Sequence, residues 1–199
     1  MRKAMHVAAC LLAFSLPYAA ITLAEPLDAG PLPRDSVYQL PVSLTDQDGQ
    51  LREWQSFRGK PRLVAMFYTS CQYICPLIID AAKSVERNLT PQQLQNLGVV
   101  FISMDPARDT PSVLKEIAAK RRINTSRWTL VAPPLADVRE IAAVLNVRYR
   151  QLADGEFNHT SALTLLDADG RVLARTEQMG AKGDPDFLQA ARRATDGGP

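Results

Sequence analysis

Leu63-Val64-Ala65-Met66-Phe67-Tyr68-Thr69-Ser70-Cys71-Gln72-Tyr73-Ile74-Cys75-Pro76 is the stretch on which the fold turns. An apolar run of this length predicts a buried strand over Leu63 to Tyr68. Two thiols follow in a short turn, and apolar residues then recur at Ile78, Ile79, Ala82, Val85 and Leu89, the spacing of a helix. Strand, thiol turn and helix is the simplest reading. If both cysteines lie at the helix start, their spacing puts them on one face. There the free amide hydrogens favour thiolate over thiol. Their Cα atoms would then stand about 6 Å apart, close enough for a disulfide. The same pair could equally chelate a soft metal ion.

Working toward the N-terminus, Gly59-Lys60-Pro61 leads into that strand. Val42 to Thr45, the turn Asp46-Gln47-Asp48-Gly49, and Gln50 to Arg52 predict a hairpin, packed on the domain by Trp54 and Phe57. Residues 25–37, with Pro26, Pro31, Pro33 and Gly30, read as a flexible linker. Residues 1–24 read as a secretory signal: basic Arg2-Lys3, an apolar stretch from Val7 to Leu23, and small residues before Glu25. Left uncleaved, that stretch is about long enough to serve as a membrane anchor. Cys10 resembles a lipidation site only superficially, because most of the apolar region follows it. On each of these readings the folded part is exported, either to the periplasm or attached to the outer face of the cytoplasmic membrane.

Toward the C-terminus, Thr90-Pro91-Gln92-Gln93 predicts a capped helix start. Val99 to Met104 predicts a buried strand, and a polar loop, Asp105 to Pro111, opens a helix over Ser112 to Lys120. A short strand at Trp128 to Val131 precedes a helix from Leu135 to Leu145. Strands over Ser161 to Leu166 and Arg171 to Arg175 are joined by Asp167-Ala168-Asp169-Gly170, and a last helix covers Pro185 to Ala194. Strands alternating with helices predict an α/β domain over 38–196 with a central, mostly parallel sheet flanked by helices. A thiol pair after the first central strand fits a thioredoxin-like fold, here with an N-terminal β-hairpin extension.

Composition narrows the function. The chain has 199 residues, 46% apolar and 22% charged, which suits one globular domain plus a tail. Its net charge of +2 disappears if Arg2 and Lys3 leave with the signal. A neutral balance gives no electrostatic case for nucleic acid. Once Cys10 is removed, Cys71 and Cys75 are the only cysteines, in an oxidising compartment. A structural disulfide is the ordinary reading there, but a loop this short gains little from a cross-link. Function is the stronger reading of the pair. His159 is the one histidine outside the leader, and by itself reads as a loop residue in ordinary solvent contact or as a third ligand. Asp105, Arg108 and Asp109 read first as supports of their loop through a cap or ion pair and second as part of a partner-docking surface near the thiols, Met66 and Met104 as core, and Tyr73 as exposed.

Phe67 to Pro76 resembles the Sco (SenC/PrrC) family motif, a strand end followed by Cys-x-x-x-Cys-Pro. Ser103-Met104-Asp105-Pro106-Ala107-Arg108-Asp109-Thr110-Pro111 is similar to a second segment of that family. Asn158-His159-Thr160-Ser161 resembles its histidine position, and the segments run in the family's order from Val37 to Ala194. The resemblance implies a thioredoxin fold with an inserted hairpin, and copper, Cu(I) or Cu(II), held by Cys71, Cys75 and His159. It also implies a metallochaperone that assists assembly of the copper centre of cytochrome c oxidase or a related copper enzyme. Its partners would be a copper-receiving protein, such as an oxidase subunit, and a thiol reductant protein. Many relatives carry Pro-Asp-Val between the cysteines; Gln72-Tyr73-Ile74 stands here and lacks the acidic residue.

Soft Cu(I) suits thiolates, with imidazole as an acceptable third ligand. A structural zinc site would want four ligands, and calcium or magnesium wants oxygen cages. Ligand exchange with a partner predicts a partly exposed site. The competing class is an enzyme without metal, a thiol–disulfide oxidoreductase or peroxidase using the same redox-active pair. An inert disulfide domain is the third possibility.

Overall fold

The computed structural model describes residues 30–197. The signal expected over 1–24, with Cys10, and the linker's first residues, 25–29, lie outside the described residues. Among the described residues, no helix is long and apolar enough to cross a membrane.

The chain enters through a 3-10 turn at Val37–Gln39, then forms the hairpin β1 (Ser43–Asp46) and β2 (Leu51–Glu53). A second 3-10 turn, Trp54–Phe57, leads to β3 (Arg62–Phe67), α1 (Ile74–Arg87), α2 (Pro91–Gln95) and β4 (Gly98–Ser103). Next come α3 (Pro111–Lys120), β5 (Trp128–Ala132) and α4 (Val138–Val144). A small hairpin, β6 (Tyr149–Gln151) and β7 (Phe157–His159), precedes β8 (Leu163–Leu166), β9 (Val172–Thr176) and α5 (Pro185–Asp196).

Seven strands form one sheet in the order β2-β1-β5-β4-β3-β8-β9. Its centre, β5-β4-β3, is parallel, while β1 joins β5 and β8 joins β3 antiparallel. This is the α/β, thioredoxin-like arrangement expected, with the early hairpin extending the sheet. Parallel strands are covered on both faces and so read as continuous apolar runs. Every residue of β4 is buried, and Val99 through Ile102 pair with both neighbours. α1 turns Ile78, Ile79, Ala82 and Val85 inward, while α2 opens with a full capping box between Thr90 and Gln93.

Three departures from the expected elements have physical causes. Of the segment read as linker, the chain from Pro33 is fastened down: Ser36 Oγ donates to the Asp169 carbonyl at 2.5 Å and Val37 N to the Gly170 carbonyl at 2.9 Å. Val37 and Tyr38 are buried beside Trp54, whose indole donates to the Val37 carbonyl at 2.9 Å. The helix expected from Leu135 begins as a 3-10 turn and becomes α-helical only at Val138. The β6–β7 hairpin was not expected at all. Its strands have three residues each and mix polar with aromatic side chains, too short for a period to register.

In Asp167-Ala168-Asp169-Gly170, Asp167 Oδ1 accepts from the amides of Asp169 at 2.9 Å and Arg171 at 2.8 Å. That carboxylate is committed to the turn. Gly170 has φ +85°, and a Cβ there would lie 2.4 Å from the Tyr38 ring. Gly170→Ala should therefore lower unfolding free energy by about 2 kcal/mol. A denaturant midpoint unchanged from the parent would contradict the docking of the N-terminal segment against this turn.

Candidate functional site

β3 ends at Phe67, and the chain turns through Tyr68, Thr69 and Ser70 before α1 begins at Ile74. Cys75 therefore lies in the first helical turn, but Cys71 precedes the helix. The two thiols do not share a helical face; Cys71 sits where a capping side chain would. Tyr73, in the N-cap position, makes no side-chain cap, and the Cys75 amide instead reaches Cys71 Sγ at 3.4 Å. The neighbouring Cys75 thiol, and then the amides of Cys75, Tyr73 and Ile74, outweigh burial and hold Cys71 well below the ordinary thiol range. Cys75 is pushed the other way, first by Cys71 and then by burial. The two thiols thus differ in acidity, and no disulfide joins them.

The sulfurs are less accessible than ligand exchange with a partner had suggested. Cys71 is 8% exposed and Cys75 3%. Tyr73 between them is 86% exposed, as expected, and Leu77 one turn on is also exposed. Met66 and Met104 are core residues.

The loop after β4 supports the thiol turn. Asp109 is buried and accepts from Ser103 Oγ at 2.5 Å, from the Thr69 amide at 3.2 Å and from the Thr69 hydroxyl. Burial raises its carboxyl above the usual carboxylate range, against the pull of those donors. Asp105 pairs with Arg108, whose guanidinium also donates to the Gly155 carbonyl at 2.6 Å. The loop thus ties Thr69, two residues before Cys71, to the turn of the β6–β7 hairpin.

His159 is the last residue of β7, opposite Tyr149. Its Nδ1 lies 3.1 Å from the Thr160 carbonyl, while Nε2 is shielded from solvent with no partner. The carbonyl can only accept, so Nδ1 donates, and in the neutral ring Nε2 is then an acceptor without a mate. The ring meets Tyr68 edge-on at 5.8 Å between centroids. Tyr68 stands three residues before Cys71, at the start of the thiol turn. The topology thus brings His159 to the thiol end of the sheet, against Tyr68. Among the described residues, however, no three of His, Cys, Asp and Glu gather closely enough to hold a metal ion. An open cleft of about 670 Å³ borders His159, lined also by Arg148, Tyr149 and Arg150. A thiol held below its ordinary range and an orphaned imidazole nitrogen are donors that suit a soft ion. Tyr68 and Glu156 were missed in the sequence; only the place of Tyr68, at the strand end before the thiol turn, could have flagged it.

Residues 33–191 match the SCO1/SenC family model. A Stutzerimonas stutzeri protein named for copper binding is 31% identical over 146 residues, covering 71% of this chain and 69% of that one. A SCO2-like protein of Rickettsia prowazekii is 29% identical over 136 residues, spanning 67% of this chain and 66% of its own. Among solved structures, Bradyrhizobium japonicum ScoI with copper bound superposes with a TM-score of 0.65 at 25% identity, over 78% of this chain and 98% of that one.

The asymmetry of the thiols is measurable. In reduced, metal-free protein, alkylation of Cys71 should stay fast as pH falls from neutral into mild acid, where an ordinary thiol of pKa about 8.5 slows steadily. Cys71→Ser should abolish the fast phase. A rate that falls tenfold per pH unit below neutrality would show that the amides do not hold a thiolate there.

Proposed function

This chain belongs to the SCO1/SenC family, and from that membership and the geometry at the thiol turn we propose that it is an exported copper-binding assembly factor. Cys71, Cys75 and His159 hold the copper. Its client is the copper centre of cytochrome c oxidase or a related copper enzyme, served by copper delivery or by reduction of the client's cysteines. The observation that carries this reading is the unpartnered, shielded Nε2 of His159 at the end of the sheet where Cys71 is held well below the ordinary thiol range. Leaving a buried ring nitrogen unbonded costs free energy, on the order of 1–3 kcal/mol. A ligand role accounts for that cost. Two thiolates and a neutral imidazole would leave a Cu(I) site at net −1, and the soft donors match the ion. Copper supplies no chemistry here beyond being carried; the residues choose it, hold it and release it.

The leader expected over 1–24 places this work outside the cytoplasm, in the periplasm or at the outer face of the membrane. Tyr73, exposed in the thiol turn, is a contact for the receiving protein.

One observation favours a second reading. A pair of neighbouring thiols of unequal acidity is also the ground state of a thiol–disulfide oxidoreductase. Cys71 would attack a client disulfide, releasing one client thiolate, and Cys75 would displace the second client sulfur as it loses its proton and closes the intramolecular disulfide.

Copper titration separates the two. Reduced protein should bind about one Cu(I) per chain. His159→Ala should weaken it by about tenfold or more while leaving the melting temperature unchanged. Reduced protein that binds no copper yet rapidly reduces a test disulfide would replace the first reading with the second.

A further inference from the structure

Tyr68 is buried, yet its hydroxyl is engaged on two sides. It donates to Glu156 Oε2 at 2.9 Å and accepts from the Phe157 amide at 3.4 Å. The ring packs edge-on against Phe157 at 5.1 Å and His159 at 5.8 Å. Every one of these partners belongs to the segment Glu156 to His159.

That segment lies outside the main sheet. β6 and β7 form a separate two-stranded sheet, and isolated hairpins of this size are marginal. Its other tethers include the Arg108–Gly155 bond, the Arg175–Asn146 bond just before β6, and the packing of Tyr149 and Phe157 against the core. Tyr68, at the end of a strand buried in the main sheet, is the fixed post to which the hairpin is tied.

The hydroxyl carries one proton, and the hydrogen bond it donates goes to Glu156. The bond to Glu156 belongs to an arrangement in which the imidazole and the two sulfurs are not assembled as a metal site. We propose that Tyr68 is a positioning residue that ties the β6–β7 hairpin back through Glu156 and Phe157 in the metal-free protein, so that the hairpin must release Tyr68 before His159 can join the sulfurs around copper. The proposal rests on the reading that Cys71, Cys75 and His159 are the copper ligands. Tyr68 sets the resting distance of the third ligand, and the strength of its bond to Glu156 sets part of the cost of closing.

Tyr68→Phe keeps the ring contacts and removes the hydroxyl. Glu156→Ala keeps the hydroxyl and removes only the hairpin's side of the bond. In reduced, metal-free protein, both variants should speed hydrogen exchange across Phe157 to Thr160 by about fivefold, the scale of one lost hydrogen bond. Cu(I) affinity, read by competition with a colorimetric chelator, should rise severalfold in each. In a His159→Ala background neither change should raise it, because the tether acts only through the imidazole.

Unchanged exchange in Glu156→Ala overturns the tether. Copper affinity that stays level or falls in both single variants, while His159→Ala weakens binding, overturns the role assigned to Tyr68. A gain that persists in the His159→Ala background does so too, since the effect would then not run through the imidazole. Should His159→Ala leave copper binding intact, the ligand reading fails on its own account, and the exchange data still decide whether Tyr68 ties down the hairpin.

Discussion

The amides at the start of α1 have no oxygen to bond, and the Cys71 sulfur takes that place. A helix leaves its first N–H groups without intrahelical partners, and a side-chain oxygen before the first turn usually satisfies one. Here Tyr73 contributes no cap and no acidic residue lies in the first turn. The Cys75 amide bonds Cys71 Sγ at 3.4 Å, and the helix terminus lowers the pKa of the Cys71 thiol while the sulfur serves the terminus. Sulfur is a weak acceptor as a thiol and a much better one as an anion. The geometry depends on where β3 sets the chain down. The strand is buried, and Asp109 fixes Thr69 by its amide and its hydroxyl.

The rest of the site rests on a different kind of support. The thiol turn is attached to the middle of a seven-stranded sheet, whereas His159 rides on two three-residue strands outside it. Elements with few buried contacts open most readily, and functional segments are commonly drawn from them. The donors are thus divided between a rigid body and an adjustable one, with Tyr68 at the seam. On the proposed function, a protein that both holds and surrenders a metal ion gains from that division. Three ligands fixed in the sheet would bind more tightly and release more slowly.

How much of this could be read in the sequence follows from how local each signal is. β3 and β4 were legible because central parallel strands are apolar throughout. The start of α2 was legible because Thr90, Pro91 and Gln93 carry its cap within four residues. The turn at Asp167 to Gly170 closes on its own side chain. The position of Cys71 was not legible to a residue, because the thiol spacing fits two cysteines on one helical face as well as one cysteine capping the helix of the other. The hairpin bearing His159 left no period, since ring contacts to Tyr68 from a strand about ninety residues away by numbering hold it. The fastening of Ser36 and Val37 depends on Gly170, again far along the chain. For the candidate site, the sequence supplied the donor types. Their burial, their unequal ionisation and their separation by Tyr68 are products of tertiary structure.

That burial constrains how anything could leave the site. With both sulfurs nearly closed off, a partner cannot exchange ligands with them in this conformation. The accessible surface beside them includes, with Gln72, the aromatic Tyr73 on the thiol turn and the aliphatic Leu77 on the first helical turn. A partner that packs on those two groups would press on the short stretch that presents Cys71, whose hold is a set of amide bonds to one sulfur. Drawing charge out of that sulfur, by a metal or by a second sulfur, weakens those bonds. The helix start then loses its cap at the moment the partner arrives. Under either functional reading, contact at Tyr73 and opening of the turn are coupled through Cys71, and the absence of charge in Gln72-Tyr73-Ile74 favours a partner that offers an uncharged patch over one that offers charge.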